Sequence, residues 1–267
     1  MSPSSLSGLL TGKVAVITGG AFGIGRATAQ VLADSGASVV IGDLLEHKAA
    51  LVANDIVASG GQAIAASLDV REEESIASLF QTAEEAFGRV DLLDNNAAIS
   101  SFTTDLGALD VDLKTFDEVL TANLRGALLC ARAAIPLMER GGGGAIVNIT
   151  SGSASIGELT RVAYGTSKAG IEQLTRHLAN RYGSHGIRTN AVAPGFIATE
   201  SAMRGVSSDL RDRLERQNPL RRLGTPVDIA HVVAFLLSDL ASYINGQVIH
   251  VDGGTQIAGV LAAPSAP

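Results

Sequence analysis

The chain has 267 residues, of which 46% are hydrophobic, 18% charged and 4% aromatic; it has no Trp and a formal net charge of −7. That balance specifies an ordered globular protein with an aliphatic core, and acidity with scattered basic residues argues against nucleic acid as a partner. The single Cys130 cannot close an intrachain disulfide, the start lacks a basic segment followed by a long apolar one, and no apolar run reaches the roughly eighteen residues of a membrane span. A soluble protein of the reducing cytoplasm, with no membrane partner, is expected.

Residues 1–10 are rich in Ser and residues 257–267 end in Ala, Pro and Ser, so both ends read as mobile tails around one domain at 11–256. Short apolar runs at Lys13–Thr18, Ser38–Gly42, Gln62–Leu68, Val90–Asn95, Ala145–Ile149, Ile187–Val192 and Gln247–Val251 alternate with stretches of helical periodicity. Seven buried strands joined by helical crossovers predict a single-domain α/β fold, a Rossmann-like, doubly wound, parallel seven-stranded sheet flanked by helices. The Gly141–Gly144 run reads as a turn before the fifth strand. From Pro194 to Pro226 the connection is longer than an ordinary crossover and leaves a strand through Pro-Gly, which predicts a substrate lid near 196–225.

The first strand runs into Thr18-Gly-Gly-Ala-Phe-Gly-Ile-Gly25. Gly19, Gly23 and Gly25 let backbone approach a pyrophosphate where the following helix presents unpaired N–H groups and a positive dipole end; Phe22 and Ile24 lie in the same turn. Asp43 ends the second strand, where a carboxylate accepts from adenosine ribose hydroxyls and opposes a 2′-phosphate, so NAD is expected over NADP. Arg26, just past the turn, is the residue that could rescue NADP. A helix-capping role for Asp43, with Glu46 completing a capping box, is the alternative.

Tyr164 and Lys168 stand one helical turn apart, with Ser151 thirteen residues upstream. A phenol is protonated at neutral pH, and general acid/base work needs something to lower its pKa. An ammonium about 4 Å away at an effective dielectric near 20 contributes roughly 4 kcal/mol, enough for about three pKa units. Lys168 is the candidate.

Taken together, these residues resemble the short-chain dehydrogenase/reductase family from about Gly12 to Gly254. The motifs occur in the family's order: the Gly-rich turn, Asp69-Val70, Asn95-Asn96-Ala97, Asn123, Ser151, Tyr164 to Lys168, Pro194-Gly195 with Thr199, and Val251 to Gly254. The resemblance implies that Tyr164 exchanges a proton with the substrate oxygen while Ser151 holds that oxygen. Lys168 would lower the Tyr164 pKa and bind the nicotinamide ribose, and Asn123 would hold a water joining Lys168 to solvent. It also implies that Asp69, Val70, Asn96, Ala97, Pro194, Gly195, Ile197 and Thr199 line the cofactor. For Thr199 a helix-capping role competes, and for Asp69 a turn role.

Two positions depart from the family pattern: Ala98 stands where Gly is usual, and Asp94 occupies a normally apolar strand position that needs a partner if buried. Phe22 is larger than the residues common in that turn and could shape the site entrance. The implied reaction is NAD-dependent alcohol dehydrogenation or carbonyl reduction on a secondary alcohol/ketone pair. A redox-neutral isomerase, dehydratase or epimerase with bound nicotinamide, and a non-catalytic NAD sensor, are the alternatives. Homo-oligomers formed through long helices at about Leu113–Met138 and Ala163–Tyr182 are also implied. The five His residues lack metal-ligand spacing, so no metal is expected, and Cys130 reads as a core residue. Phe102, Ser153, Ile156, Glu158, Phe196 and Met203 are the pocket candidates.

Overall fold

In the computed structural model, which describes residues 8–257, seven parallel strands form one sheet in the order β3-β2-β1-β4-β5-β6-β7. The strands are β1 Val14–Thr18, β2 Ser38–Asp43, β3 Gln62–Ser67, β4 Leu92–Asn95, β5 Gly144–Ile149, β6 Ile187–Pro194 and β7 Val248–Val251. Chain direction across the sheet reverses between β1 and β4, where Thr18 pairs in register with Asn95. Such a switch point leaves a crevice beyond the carboxyl ends of the two strands, the usual ligand site of an open α/β sheet.

Helices cover both faces: α1 Gly23–Asp34, α2 Glu46–Ala58, α3 Glu73–Phe87, α4 Leu113–Leu120, α5 Gly126–Arg140, α6 Val162–Tyr182, α7 Ser208–Gln217 and α8 Pro226–Leu237. Alternation along β1 sorts the core. Ala15 and Ile17 join Leu32, Ile229 and Val233 on the α1 and α8 side, while Val14 and Val16 join Leu79, Ile135 and Leu178 on the α3, α5 and α6 side. Leu10, expected in the N-terminal tail, is buried in the first of these clusters, and its N–H donates to Ser35 O at 2.8 Å. Burial of that apolar side chain moves the domain boundary before residue 10. Most of both expected tails, residues 1–7 and 258–267, lies outside the described residues.

The single helix expected over Leu113–Met138 is two. A π-helical turn, Thr121–Arg125, separates α4 from α5 and carries Asn123. Asn123 Oδ1 accepts from Ile99 N at 2.8 Å, while Nδ2 donates to Ile99 O and to Ser167 Oγ at 3.0 and 3.1 Å. One side chain thus ties the chain beyond β4 to α6 from a widened turn, a form of helix found frequently at functional sites.

The start of α6 is capped from a distance. Arg161 N and Val162 N donate to the carbonyls of Asp105 and Leu106, and Ala163 N and Tyr164 N donate to the Asp105 carboxylate at 3.0 and 2.8 Å. A helix leaves its first backbone donors without intrahelical partners; here Asp105, fully buried, supplies most of the acceptors. Replacing it by Ala strands two buried N–H groups, one of them that of Tyr164. Asp105→Ala is expected to lower unfolding free energy by about 2 kcal/mol and to reduce kcat/KM, with Asp105→Asn intermediate. Urea denaturation and initial rates on the three proteins check this.

Asp94 is completely buried between its register neighbours Ile17 and Val147, and both carboxylate oxygens lack a hydrogen-bond partner. Desolvation drives its pKa from 3.8 up to about 8, with the charge of Lys168 pulling the other way. A folded pKa above the unfolded one means that the folded state holds the proton longer. The stability this contributes is complete below about pH 4 and lost as pH rises toward 8. Asp94→Val is expected to raise Tm, by more at pH 8 than at pH 5, removing a slope of up to about 1.4 kcal/mol per pH unit. Thermal unfolding of both proteins across that range is the check.

Candidate active site

The Gly-rich turn is a place where backbone packs on backbone. Gly19 has φ 70°, and a Cβ there would lie 2.9 Å from Ala97 Cα; one on Gly25 would lie 2.2 Å from Gly19 O. Asn96 locks the turn, its Nδ2 donating to Thr18 O and Gly19 O at 3.0 and 2.9 Å. The residue before α1 is Phe22, extended and half-exposed, which gives no side-chain cap, so the first N–H groups of that helix keep their donor capacity. The Glu200 carboxylate already rests by this end. Its pKa is held low chiefly by its own backbone N–H, with Arg26 and the Gly23 N–H adding to the effect. An electropositive helix end beside glycines that leave no room for a Cβ fits a dinucleotide pyrophosphate.

Asp43 stands at the end of β2 with its carboxylate pointed across the same turn. Oδ2 accepts from Ala21 N at 3.0 Å and Oδ1 from Leu45 N at 2.9 Å. The capping box with Glu46 does not form: the residue preceding α2 is Leu45, and Asp43 braces the Gly-rich turn instead. Arg26 is committed to Glu200, Nη2 to Oε1 at 2.6 Å.

The remaining cofactor candidates divide. Val70 packs on Gly126, whereas the Asp69 carboxylate takes the backbone N–H and the guanidinium of its neighbour Arg71, the turn role weighed from sequence. Pro194 ends β6, and Gly195 follows where a Cβ would meet Asp252 Cα at 2.7 Å. Ile197 bridges to Gly224, and Thr199 lies over Gly23 while its Oγ1 accepts from Ala202 N at 3.0 Å, a capping contact.

Ser151, Tyr164 and Lys168 come together at the carboxyl end of β5. Ser151 stands two residues past the end of β5 and opens a short 3-10 turn, its Oγ accepting from Ser153 N and donating to Ser153 Oγ, both at 3.2 Å. Thr150 Oγ1 donates to Lys168 O at 3.0 Å, and Lys168 Nζ donates to Ile149 O at 2.7 Å. The ammonium is 5.6 Å from the centre of the Tyr164 ring. Asn123 joins the group through Ser167, whose Oγ donates to Tyr164 O at 2.7 Å.

The electrostatics correct one expectation. Burial lifts the Tyr164 phenol above its ordinary value, and the groups opposing that rise are the Ser151 hydroxyl and the Arg161 guanidinium, not Lys168. Lys168 itself is brought down to about 8 by burial, against the pull of Asp94. Its ammonium donates to Ile149 O, and in the free protein it is not among the groups that move the Tyr164 phenol.

Two residues at this site went unread in the sequence. Asp105 lies in a loop nearly sixty residues before the helix it caps. Arg161 stacks its guanidinium on Phe102 and Tyr164, 4.3 and 5.1 Å from the ring centres. An Arg three residues before the Tyr-x-x-x-Lys pair was the available signal for the second; no local pattern marked the first.

A family profile described as enoyl-(acyl carrier protein) reductase matches residues 19–256. The chain is 41% identical over 242 residues to a cis-4-hydroxycyclohexanecarboxylate dehydrogenase of Sinomonas cyclohexanicum, covering 91% of this chain and 96% of that enzyme. It is 39% identical over 245 residues to a 7alpha-hydroxysteroid dehydrogenase of Clostridium sardiniense, covering 92% and 94%. A crystal structure of a 7alpha-hydroxysteroid dehydrogenase complexed with NADH and 7-oxo glycochenodeoxycholic acid superposes with a TM-score of 0.88 at 34% identity, covering 95% of this chain and 97% of that one. With matches spanning nearly its whole length, and with Ser151, Tyr164 and Lys168 gathered on the same carboxyl edge of the sheet as the Gly-rich turn, the chain belongs to the short-chain dehydrogenase/reductase family.

Proposed function

We propose that the protein interconverts a secondary alcohol and a ketone with NAD(H), using Tyr164 as the general acid/base. The observation that carries this reading is the convergence of a phenol, a serine hydroxyl and a buried ammonium on the sheet edge that also bears a turn shaped for a dinucleotide. When bound, the nicotinamide supplies the hydride acceptor or donor. Tyr164 moves the proton to or from the substrate oxygen. Ser151 turns its hydroxyl from Ser153 to that oxygen and fixes the carbon beside it, and Lys168 offers its ammonium to the ribose and the phenol. Division of proton transfer and positioning among fixed groups accounts for the acceleration expected of such a site.

NAD is favoured over NADP because Asp43 places a carboxylate beside the turn, where a 2′-phosphate meets like charge, and because Arg26 is already held by Glu200. The NADH-complexed neighbour supports the same choice. A reading as homo-oligomer is supported by the exposed or part-exposed Leu124, Leu128 and Leu174, which with Leu120 line an apolar groove on the α4 to α6 side. No helix of the described residues is long and apolar enough to cross a membrane.

NADH is expected to bind at least about tenfold more tightly than NADPH, and Asp43→Ser to bring the two within a few-fold, which fluorescence titration measures. Stronger NADPH binding by the unaltered protein would contradict the assignment of Asp43. Tyr164→Phe is expected to lower kcat by about two to four orders of magnitude while shifting NADH affinity far less. The initial-rate assay follows absorbance of the reduced nicotinamide with a panel of secondary alcohols and ketones.

A further inference from the structure

Arg161 is an unusual cation for its position. Its backbone holds φ 64°, a left-handed conformation that a non-Gly residue adopts only where the surroundings enforce it. Asp105 enforces it, its carbonyl accepting from Arg161 N at 2.7 Å where the chain enters α6. The side chain is 15% exposed and sandwiched between Phe102 and the reacting Tyr164. Glu158 and Ser153 both engage Nη2, at 2.5 and 3.2 Å. Nε is buried without a partner, and Nη1 makes no hydrogen bond to the described residues.

This is not how a surface ion pair is built. Backbone strain, a buried orphan donor and two aromatic stacks fix one guanidinium next to the catalytic phenol, with a whole nitrogen left over. Both two-nitrogen edges of the guanidinium include Nη2, which Glu158 and Ser153 occupy, so a ligand meets Nη1 alone, and a charge-assisted bond from it to a carboxylate is about twice as strong as a neutral one. Glu158 neutralises the group between turnovers and, by occupying only Nη2, leaves the other terminal nitrogen for a ligand.

We propose that Arg161 recognises an anionic group of the substrate, and that the substrate is therefore a hydroxy acid or its oxo acid, with the carboxylate a few ångströms from the reacting carbon. The inference rests on the alcohol/ketone reading given above and names the substrate class of that site. The reaction stays balanced: the carbinol carbon gives a hydride to NAD, its oxygen gives a proton through Tyr164, and the carboxylate is unchanged.

The test compares hydroxycyclohexanecarboxylates with their carboxamides, which keep the ring and the hydroxyl and lose only the charge. In the unaltered protein the acid is expected to exceed the amide by at least about tenfold in kcat/KM, chiefly through KM. The ratio should fall toward unity in Arg161→Asn, which keeps a residue tolerant of the left-handed backbone, and be partly retained in Arg161→Lys. Inhibition by cyclohexanecarboxylate against cyclohexanecarboxamide gives the same comparison without turnover. A ratio at or below unity in the unaltered protein, or one unchanged in Arg161→Asn, overturns the proposal while leaving alcohol dehydrogenation intact. Absence of turnover with every alcohol and ketone, alongside tighter inhibition by the acid, instead removes the reaction and keeps the anion site.

Discussion

The ammonium of Lys168 is fully buried at the end of β5, and the rest of the site is arranged around the cost of putting it there. Taking that charge out of water is unfavourable by several kcal/mol unless it is well bonded. Here it has one short bond, to Ile149 O, and a buried carboxyl, Asp94, whose ionised form favours the ammonium. The same burial that lowers the Lys168 pKa raises that of Tyr164, so the phenol of the free protein keeps its proton at neutral pH. Ribose hydroxyls of a bound cofactor would give the ammonium further partners, and a positively charged nicotinamide would favour the phenolate form of Tyr164. Chemistry is thereby coupled to cofactor binding.

What keeps these groups in phase is a line of amides rather than an aromatic core. Asn95 donates to Asn148 Oδ1 at 2.9 Å, Asn148 donates to Thr175 Oγ1 at 2.9 Å, and Thr175 returns to Ile171 O within α6. Asn95 and Asn148 are register partners on β4 and β5, so the chain of bonds runs from the strand below the cofactor turn to the helix that bears Tyr164 and Lys168. Every member is buried. Networks of that kind are rigid where satisfied and costly when broken, and here the one open position is Asn95 Oδ1, which is buried without a partner. Together with Asp105 at its start and Asn123 at its side, they tie α6 to the sheet and to the loops before it.

Much of this was legible in the residues. Continuous apolar runs marked the seven strands to within a few residues, because the central strands are buried on both faces and even the half-exposed edge strands β3 and β7 keep short apolar runs. The glycines at 19, 23 and 25 and the Tyr164/Lys168 pair stood out because their chemistry depends on local spacing. The rest depended on contacts distant in sequence. A π turn in Leu113–Met138 does not alter the hydrophobic period enough to be seen, and Asp105 caps a helix that begins far downstream. The direction of the Lys168 ammonium follows from which carbonyl β5 brings within reach, and the sign of the Tyr164 shift from how deeply the phenol is buried. Asp94 was visible as an oddity in a strand, yet only its surroundings revealed that nothing there bonds to it.

The central claim is that bound cofactor completes a base which the free protein does not possess. Ultraviolet difference titration of tyrosinate tests it directly, with the Tyr164→Phe protein subtracted to remove the other two tyrosines. The account predicts that Tyr164 ionises above its ordinary value of 10.0 in the free protein and at a clearly lower pH once NAD is bound. Ionisation below the ordinary value in the free protein, or a midpoint that NAD leaves unmoved, would contradict it.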